Sequence, residues 1–308
     1  MKVYNNLSEY NEEFSTVVTV GNFDGVHLGH RKILEKVNSI ARQYNFKSVV
    51  FTFEPHPLKY FGADVPMILT PLQKQKLLDE TGVDFLFQIE FSEQFAKMTP
   101  EVFVREILVK KLNARFIIVG YDYKFGRRRK GDFKLLQFLS QHYGYTPFKV
   151  DRVEIHGEVV SSTNIRKFLQ EGKIKKANEM LGHNFSLEGT VVEGSKIGRL
   201  LGYPTANILV NNEILPKLGV YVSRLVLNGV KYNSVTNIGI RPTLNDEGQD
   251  VKVEAFVFDF NEDLYGKEVE LDLLEYLRPE AKLDSFEELK NVIEADCRAA
   301  KKIHAEMK

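Results

Sequence analysis

Two histidines three residues apart close a glycine-rich stretch, Gly21-Asn22-Phe23-Asp24-Gly25-Val26-His27-Leu28-Gly29-His30, that follows directly on a run of β-forming residues. Glycines at a turn from strand to helix let backbone N–H groups approach a phosphate, and the helix start adds a partial positive charge. His27 and His30 fall on one face of the first helical turn, where two imidazoles donate hydrogen bonds to charge developing on a phosphoryl group. A zinc site needs a third ligand, and no acid or histidine partner stands out. A second stretch, GSKIGRLLGYPTAN over 194–207, sets Gly194, Gly198 and Gly202 beside two cations, Lys196 and Arg199. That combination makes a flexible, positively charged loop suited to a triphosphate. Pro204 then fixes the chain so that Thr205 and Asn207, two apart and extended, point the same way. A hydroxyl and an amide oxygen are hard donors of the kind that hold Mg²⁺ between phosphates. The same residues are ordinary turn formers, and their types alone leave both readings open.

These groups need elements to hold them. In the first half, residues 17–23 (VVTVGNF), 47–53 (KSVVFTF), 85–91 (FLFQIEF) and 115–120 (RFIIVG) read as buried strands. Helical patterns lie over 28–44, 72–81, 100–112 and 132–143. Strands alternating with helices imply a parallel sheet covered on both faces, whose ligands bind at the carboxyl ends of the strands. From residue 184 the pattern changes. Residues 187–193, 219–227, 231–238, 252–259 and 268–276 read as strands joined by turn residues such as Asn228-Gly229. Ser285 with Glu288 three residues on marks the start of a terminal helix to about residue 304. The expected architecture is α/β plus all-β: a Rossmann-like module with a parallel sheet, then a closed or partly closed antiparallel barrel with one helix. Residues 162–181 read as two short helices bridging them, so the boundary is drawn as 1–184 and 185–308.

GNFDGVHLGH resembles the HxGH signature of the nucleotidyltransferase superfamily, whose members transfer AMP or CMP from a nucleoside triphosphate. The related HIGH motif of class I aminoacyl-tRNA synthetases comes with a KMSKS-like loop that is absent here. With FTFEPHP over 51–57, VGYDYKFG over 119–126, SSTNIR over 161–166 and GRLLGYPTAN over 198–207, the chain resembles the prokaryotic bifunctional riboflavin kinase/FMN adenylyltransferase family, also called FAD synthetases. The resemblance runs from about residue 17 to residue 303. It implies phosphorylation of riboflavin to FMN in the barrel, then adenylylation of FMN to FAD with release of pyrophosphate in the Rossmann-like module, both using ATP with Mg²⁺.

It also implies roles residue by residue. His27 and His30 would stabilise charge at the α-phosphate, with Gly21, Asn22, Phe23 and Gly25 lining the phosphates. Pro55, Pro57 and Phe125 would border the flavin ring. Ser162, Thr163 and Arg166 would hold phosphate groups, which suits hydroxyls at a helix start and a bidentate cation. Gly194, Lys196, Gly198 and Arg199 would wrap the kinase triphosphate, and Thr205 and Asn207 the metal. In VEAFVFDF over 253–260, Glu254 would take the proton of the riboflavin 5′-hydroxyl. Asp122 departs from the pattern, which carries Asn there. Asp259 and Asp263 read as turn formers, Cys297 as a packing residue and His56 as a pocket wall.

Composition bounds these readings. The chain has 308 residues, 43% hydrophobic and 27% charged, a globular profile. No apolar run approaches the roughly 18 residues that span a bilayer, and acids occupy the place of a signal-peptide apolar region. One cysteine excludes an intrachain disulfide framework, so a cytoplasmic setting is expected. The formal net charge is +0, but residues 1–184 carry 27 Lys+Arg against 21 Asp+Glu and the remainder the opposite imbalance. The run Arg127-Arg128-Arg129-Lys130 reads as a solvated loop or as a mobile arm that neutralises pyrophosphate. No RNA-reading module accompanies it. The expected partners are riboflavin, FMN, FAD and ATP, without nucleic acid or membrane, and self-association is left open. A transferase for another acceptor leaves the PTAN loop and Glu254 without a role. A barrel that grips RNA is disfavoured by the acidic second half and the lack of an aromatic stacking pattern.

Overall fold

The computed structural model describes residues 1–194, 198, 202–241, 250–281 and 285–307, and the chain divides into two units, Met1–Ser162 and Thr163–Lys308. In the first unit, six parallel strands form one sheet: β1 (Lys2–Tyr4), β2 (Thr16–Val20), β3 (Lys47–Glu54), β4 (Phe85–Glu90), β5 (Ala114–Gly120) and β6 (Thr146–Val150). All five residues of β2 are buried, as a strand covered by helices on both faces requires. The strand order is β1-β4-β3-β2-β5-β6. From β2 the chain proceeds to β3 and β4 on one side, then returns to β5 on the other. The crevice of such a sheet opens at that reversal, outside the carboxyl ends of β2 and β5. The edge strands β1 and β6 go beyond the sequence reading. Each is short, and each has too little apolar alternation to announce itself.

Helix α1 (Leu28–Tyr44) starts immediately after the glycine-rich turn and ends at Asn45, which adopts the left-handed conformation with φ 56°. Its buried stripe of Leu34, Val37, Ile40 and Ala41 lies at helical spacing. Helix α2 (Pro71–Asp79) opens with a reciprocal cap between Thr70 and Gln73. The helix expected over 100–112 is present but widens to a π-type winding across Phe103–Lys111. Helix α3 (Phe133–Tyr143) is capped by Asp132, and after β6 the short strands β7 (Glu154–Ile155) and β8 (Glu158–Val159) pair antiparallel.

The second unit begins with α4 (Ser162–Glu171) and α5 (Ile174–Leu181), the expected pair of short helices, although Ser162 itself falls in the first unit. The Asn178 side chain of α5 donates to the Leu273 carbonyl and accepts from the Phe185 N–H, both at 2.8 Å. The barrel that follows is closed and antiparallel, with strands β9 (Phe185–Val192), β10 (Ala206–Val210), β11 (Gly219–Leu227), β12 (Val230–Arg241), β13 (Asp250–Val257) and β14 (Glu268–Arg278). β10 overlaps the PTAN motif and is not among the strands that the sequence pattern predicts. It completes the closure between β9 and β13.

Inside the barrel the apolar filling is interrupted by three fully buried hydroxyls: Ser223 lies 2.8 Å from Ser234 and 2.7 Å from Thr236. Each satisfies another, so the polar atoms stay in the core without an orphan. The terminal helix α6 (Phe286–Glu306), capped by Ser285, covers Val220, Val222, Val235 and Phe258 with Cys297 and Ala300. Burial pushes the Cys297 thiol up to about 11, in keeping with a packing residue. No helix among the described residues is long and apolar enough to cross a membrane.

His304, to which the sequence assigned no role, fastens the end of α6: it is 3% exposed and its Nε2 donates to the Ser234 carbonyl at 3.2 Å. Burial lowers its pKa below the ordinary 6.5, and the nearby Arg224 charge lowers it further. The unfolded chain therefore takes up a proton that the folded barrel resists, so this contribution is full above 6.5 and is lost as the pH falls below it. Melting followed by circular dichroism should show a temperature that declines between about pH 7 and pH 5. His304→Gln should flatten that decline.

Candidate functional site

The turn after β2 is held in an uncommon backbone conformation. Phe23, Gly25 and Val26 have φ values of 52°, 89° and 37°. The left-handed region is free to glycine but opposed by a β-branched side chain, at a cost of about 1–3 kcal/mol at Val26. Burial locks the segment, since Phe23 is 1% and Val26 0% exposed. Asp24, 5% exposed, supplies the other fastening: its Oδ1 accepts from the Ile68 N–H at 2.9 Å and the Leu69 N–H at 3.3 Å. The Ser162 hydroxyl donates to the Asp24 carbonyl at 2.9 Å. The Gly21 N–H donates to Phe51 at 3.1 Å, and Asn22 accepts at its carbonyl from the Thr52 hydroxyl at 3.4 Å. The turn is thus tied to β3 and to the segment before α2.

Its product is a matched pair of imidazoles. His27 caps α1, its Nδ1 accepting from the His30 N–H at 3.3 Å. In a neutral ring that bond assigns the proton to Nε2 and makes it a donor. The two rings stack with centroids 3.6 Å apart and planes at 12°. Burial holds the His30 pKa well below its ordinary value, and His27 lowers it further. Two stacked imidazoles are poor hosts for two positive charges, so His30 stays neutral at pH 7 and acts as a dipolar donor. Its buried Nδ1 has no hydrogen-bond partner among the described residues, and the same holds for the Nε of Arg31, the next residue. Arg31 lies one position beyond the motif, and its residue type alone carries no signal. Gly29 sits close against the pair: a Cβ there would lie 3.1 Å from the His27 ring, which would have to shift by a few tenths of an ångström.

Pro55, Pro57 and Phe125 follow the carboxyl ends of strands in the same sheet. Pro55 and Pro57 follow β3, Pro55 exposed and Pro57 opening a short turn capped by His56, whose Nδ1 accepts from the Leu58 N–H at 3.1 Å. Lys74, buried on α2, reaches the Glu54 carboxylate at 3.1 Å, just before Pro55. Phe125 lies beyond β5 but is 7% exposed, stacked on Tyr123 at 5.2 Å and packed with Phe103 in the core. Residues 127–130 are exposed on a loop whose ends are pinned, by a bridge between Phe125 and Gly131 and by the Arg127 N–H donating to Met98 at 2.9 Å. Thr163 and Arg166 lie on the first two turns of α4 in the second unit, Thr163 exposed and Arg166 half-buried.

In the barrel, register does what sequence spacing cannot. Asn207 of β10 stands opposite Glu254 of β13, and Glu254 stands opposite Asn237 of β12. The three side chains therefore share one face. Asn207 is 9% exposed, and its Oδ1 has no hydrogen-bond partner among the described residues. Glu254 pairs with Lys252, two residues back on the same face, at 2.7 Å. Nothing in the local sequence singles out Asn237 or Lys252, because only the strand and its pairing bring them to the carboxylate. Gly194 has no room for a Cβ against the Asn207 amide, and Gly198 has none against the Tyr203 carbonyl. Thr205 lies just before β10. Lys196 and Arg199 lie outside the described residues.

The orphaned Asn207 oxygen, with the Thr205 hydroxyl nearby in sequence, is the kind of hard donor set that a divalent cation takes. His27 and His30 belong to no group of three or more His, Cys, Asp or Glu side chains able to hold a metal among the described residues.

Two variants test the histidine turn. Asp24→Ala leaves two buried N–H groups unpaired and should destabilise the first unit by about 2–4 kcal/mol, read by denaturant titration. Gly29→Ala pushes the His27 ring aside, so the chemistry carried by the histidine pair should slow while melting temperature moves little.

The FAD synthetase family model matches residues 9–164, and the riboflavin kinase family model matches residues 181–304. The bifunctional riboflavin kinase/FMN adenylyltransferase of Escherichia coli strain K12 is 38% identical over 94% of this chain and 93% of its own. That of Buchnera aphidicola subsp. Acyrthosiphon pisum is 36% identical over 94% of this chain and 93% of its own. A crystal structure described as a macrolide-efflux protein from Streptococcus pneumoniae superposes with a TM-score of 0.88 at 32% identity, covering 97% of this chain and 98% of that one. With both family models matched in order along it, the chain belongs to the bifunctional riboflavin kinase/FMN adenylyltransferase family.

Proposed function

We propose that each unit carries one ATP-dependent transfer, and that the two run in sequence on the flavin. In the barrel, Glu254 accepts the proton of the riboflavin 5′-hydroxyl as that oxygen attacks the γ-phosphorus of ATP. The bond to the β-phosphate oxygen breaks, and FMN and ADP form. Thr205 and Asn207 would hold Mg²⁺, which supplies screening of the phosphate charge when bound. The glycine loop with Lys196 and Arg199 embraces the triphosphate. The Lys252 ammonium lies 2.7 Å from the Glu254 carboxylate and orients it on the shared face of the strand.

In the α/β unit, an FMN phosphate oxygen attacks the α-phosphorus of a second ATP, the bond to the β-phosphate breaks, and FAD and pyrophosphate leave. His27 and His30 donate to the charge that gathers there, without a covalent intermediate. Gly21, Asn22, Phe23 and Gly25 present backbone to the phosphates, and Ser162, Thr163 and Arg166 add hydroxyls and a cation. Pro55, Pro57 and Phe125 border the flavin, Phe125 as the buried floor beneath the loop. The functional modules are residues 1–184 and 185–308, the helices over 162–181 being counted with the first. A cytoplasmic setting, where ATP is plentiful, fits both steps.

The observation that carries this reading is the stacked imidazole pair, at the end of the strand where the sheet order reverses. Asn207 opposite Glu254 carries it for the barrel. The test is a chromatographic time course of the full chain with riboflavin, ATP and Mg²⁺. Glu254→Gln should lower FMN formation by roughly 10²–10⁴-fold yet still convert supplied FMN to FAD. His27→Ala/His30→Ala should stall at FMN, with FAD formation down about 10²–10³-fold. Equal loss of both activities in either variant contradicts the assignment.

A further inference from the structure

Asn207 is placed against Glu254 by the β10–β13 ladder, but Thr205 precedes the strand, so the ladder does not fix it. A second contact joins the two segments. Tyr203 lies two residues before Thr205, and Phe256 lies two residues after Glu254 on the same face of β13. Their rings meet edge to face, with centroids 5.3 Å apart and planes at 80°. That geometry is the favoured one for aromatic pairs.

Both rings pack against the cluster formed by Val220, Val222, Val235 and Phe258 with Cys297 of α6, and Ile293 and Ile303 of that helix pack against the same cluster. Burial raises the Tyr203 phenol above its ordinary value, with Glu294 and Cys297 of α6 adding to the shift. Its N–H donates to the Gly198 carbonyl at 2.8 Å, and Gly198 has no room for a Cβ against the Tyr203 carbonyl. Tyr203 thus anchors the return of the glycine loop as well as the start of the PTAN segment.

We propose that the Tyr203–Phe256 contact is a positioning pair that fixes Thr205 relative to Glu254, with the terminal helix as its backing. The inference rests on the assignment of Glu254 and Thr205 to the kinase step. It makes the rings, rather than the tyrosine hydroxyl, the working groups. Neither residue touches substrate in this account. Their loss separates the nucleophile's base from the phosphate-holding segment, leaving riboflavin affinity intact.

The test uses the full chain carrying Tyr203→Phe, Tyr203→Leu, Phe256→Leu or Glu254→Gln. It measures kcat and KM for riboflavin phosphorylation, calorimetric binding of ADP with Mg²⁺, melting temperature, and FAD formation from supplied FMN. The two leucine variants should lose roughly 10- to 100-fold in kcat, the scale of a misplaced catalytic group, with riboflavin KM little changed. ADP binding should weaken in the same variants, and FAD formation should match the wild type. Tyr203→Phe, which keeps the ring, should retain wild-type kcat.

The proposal is overturned if the leucine variants keep wild-type kcat, or if their loss only tracks the unfolded fraction. It is equally overturned if Tyr203→Phe falls as far as Tyr203→Leu. Undiminished FMN formation by Glu254→Gln is a different failure, since it removes the assigned base and with it the object being positioned.

Discussion

A polyphosphate has to be met by donors that are already in place, because groups that must reorganise during transfer give back much of the stabilisation they provide. Both units of this chain are organised around that constraint, by different means. In the parallel sheet it is met at a strand end. The turn after β2 is driven into left-handed backbone, Val26 included, and is held there by buried side chains and by the Asp24 carboxylate. The strain is local and the compensation distributed. The outcome is a helix start at which one imidazole caps the helix and stacks on the other.

In the barrel the same constraint is met by register. Closure of the six strands leaves no freedom for β10 to slide against β13, since a slip of one residue turns every inward side chain outward. Asn207, Glu254 and Asn237 are therefore held in one row by main-chain pairing alone. What pairing leaves loose lies before the strand, and there aromatic packing against α6 takes over. In the proposed kinase step the terminal helix thus supports the chemistry as well as covering the barrel wall. Its own end is fixed by the His304 hydrogen bond to Ser234.

The sequence makes the chemistry more legible than its surroundings. His27, His30, the PTAN segment and Glu254 stand in motifs, and a motif is local, so spacing and residue type suffice to find it. The alternation of strands and helices, then of strands alone, likewise gives both architectures. β1 and β6 escape because a short edge strand carries little pattern, and β10 because its residues look like a loop motif. Asn237 and Lys252 escape for a deeper reason: their meaning depends on which strand lies beside β13, and pairing partners are not written in local sequence. Asp24 is visible inside the motif, but its work is to bind backbone groups far along the chain. The basic run over 127–130 suggests freedom by composition, whereas a bridge between Phe125 and Gly131 pins it.

The central claim is that two complete and separate transfer sites lie on one chain. It is tested most directly by mixing two full-length variants, one carrying Glu254→Gln and the other His27→Ala/His30→Ala, with riboflavin, ATP and Mg²⁺. Neither variant alone should carry riboflavin through to FAD. The account predicts that the mixture does, with FMN rising first and FAD following as the intact site of each chain serves the other. FMN that accumulates while FAD never forms would contradict it, because the Glu254 lesion would then have disabled the adenylyl transfer as well.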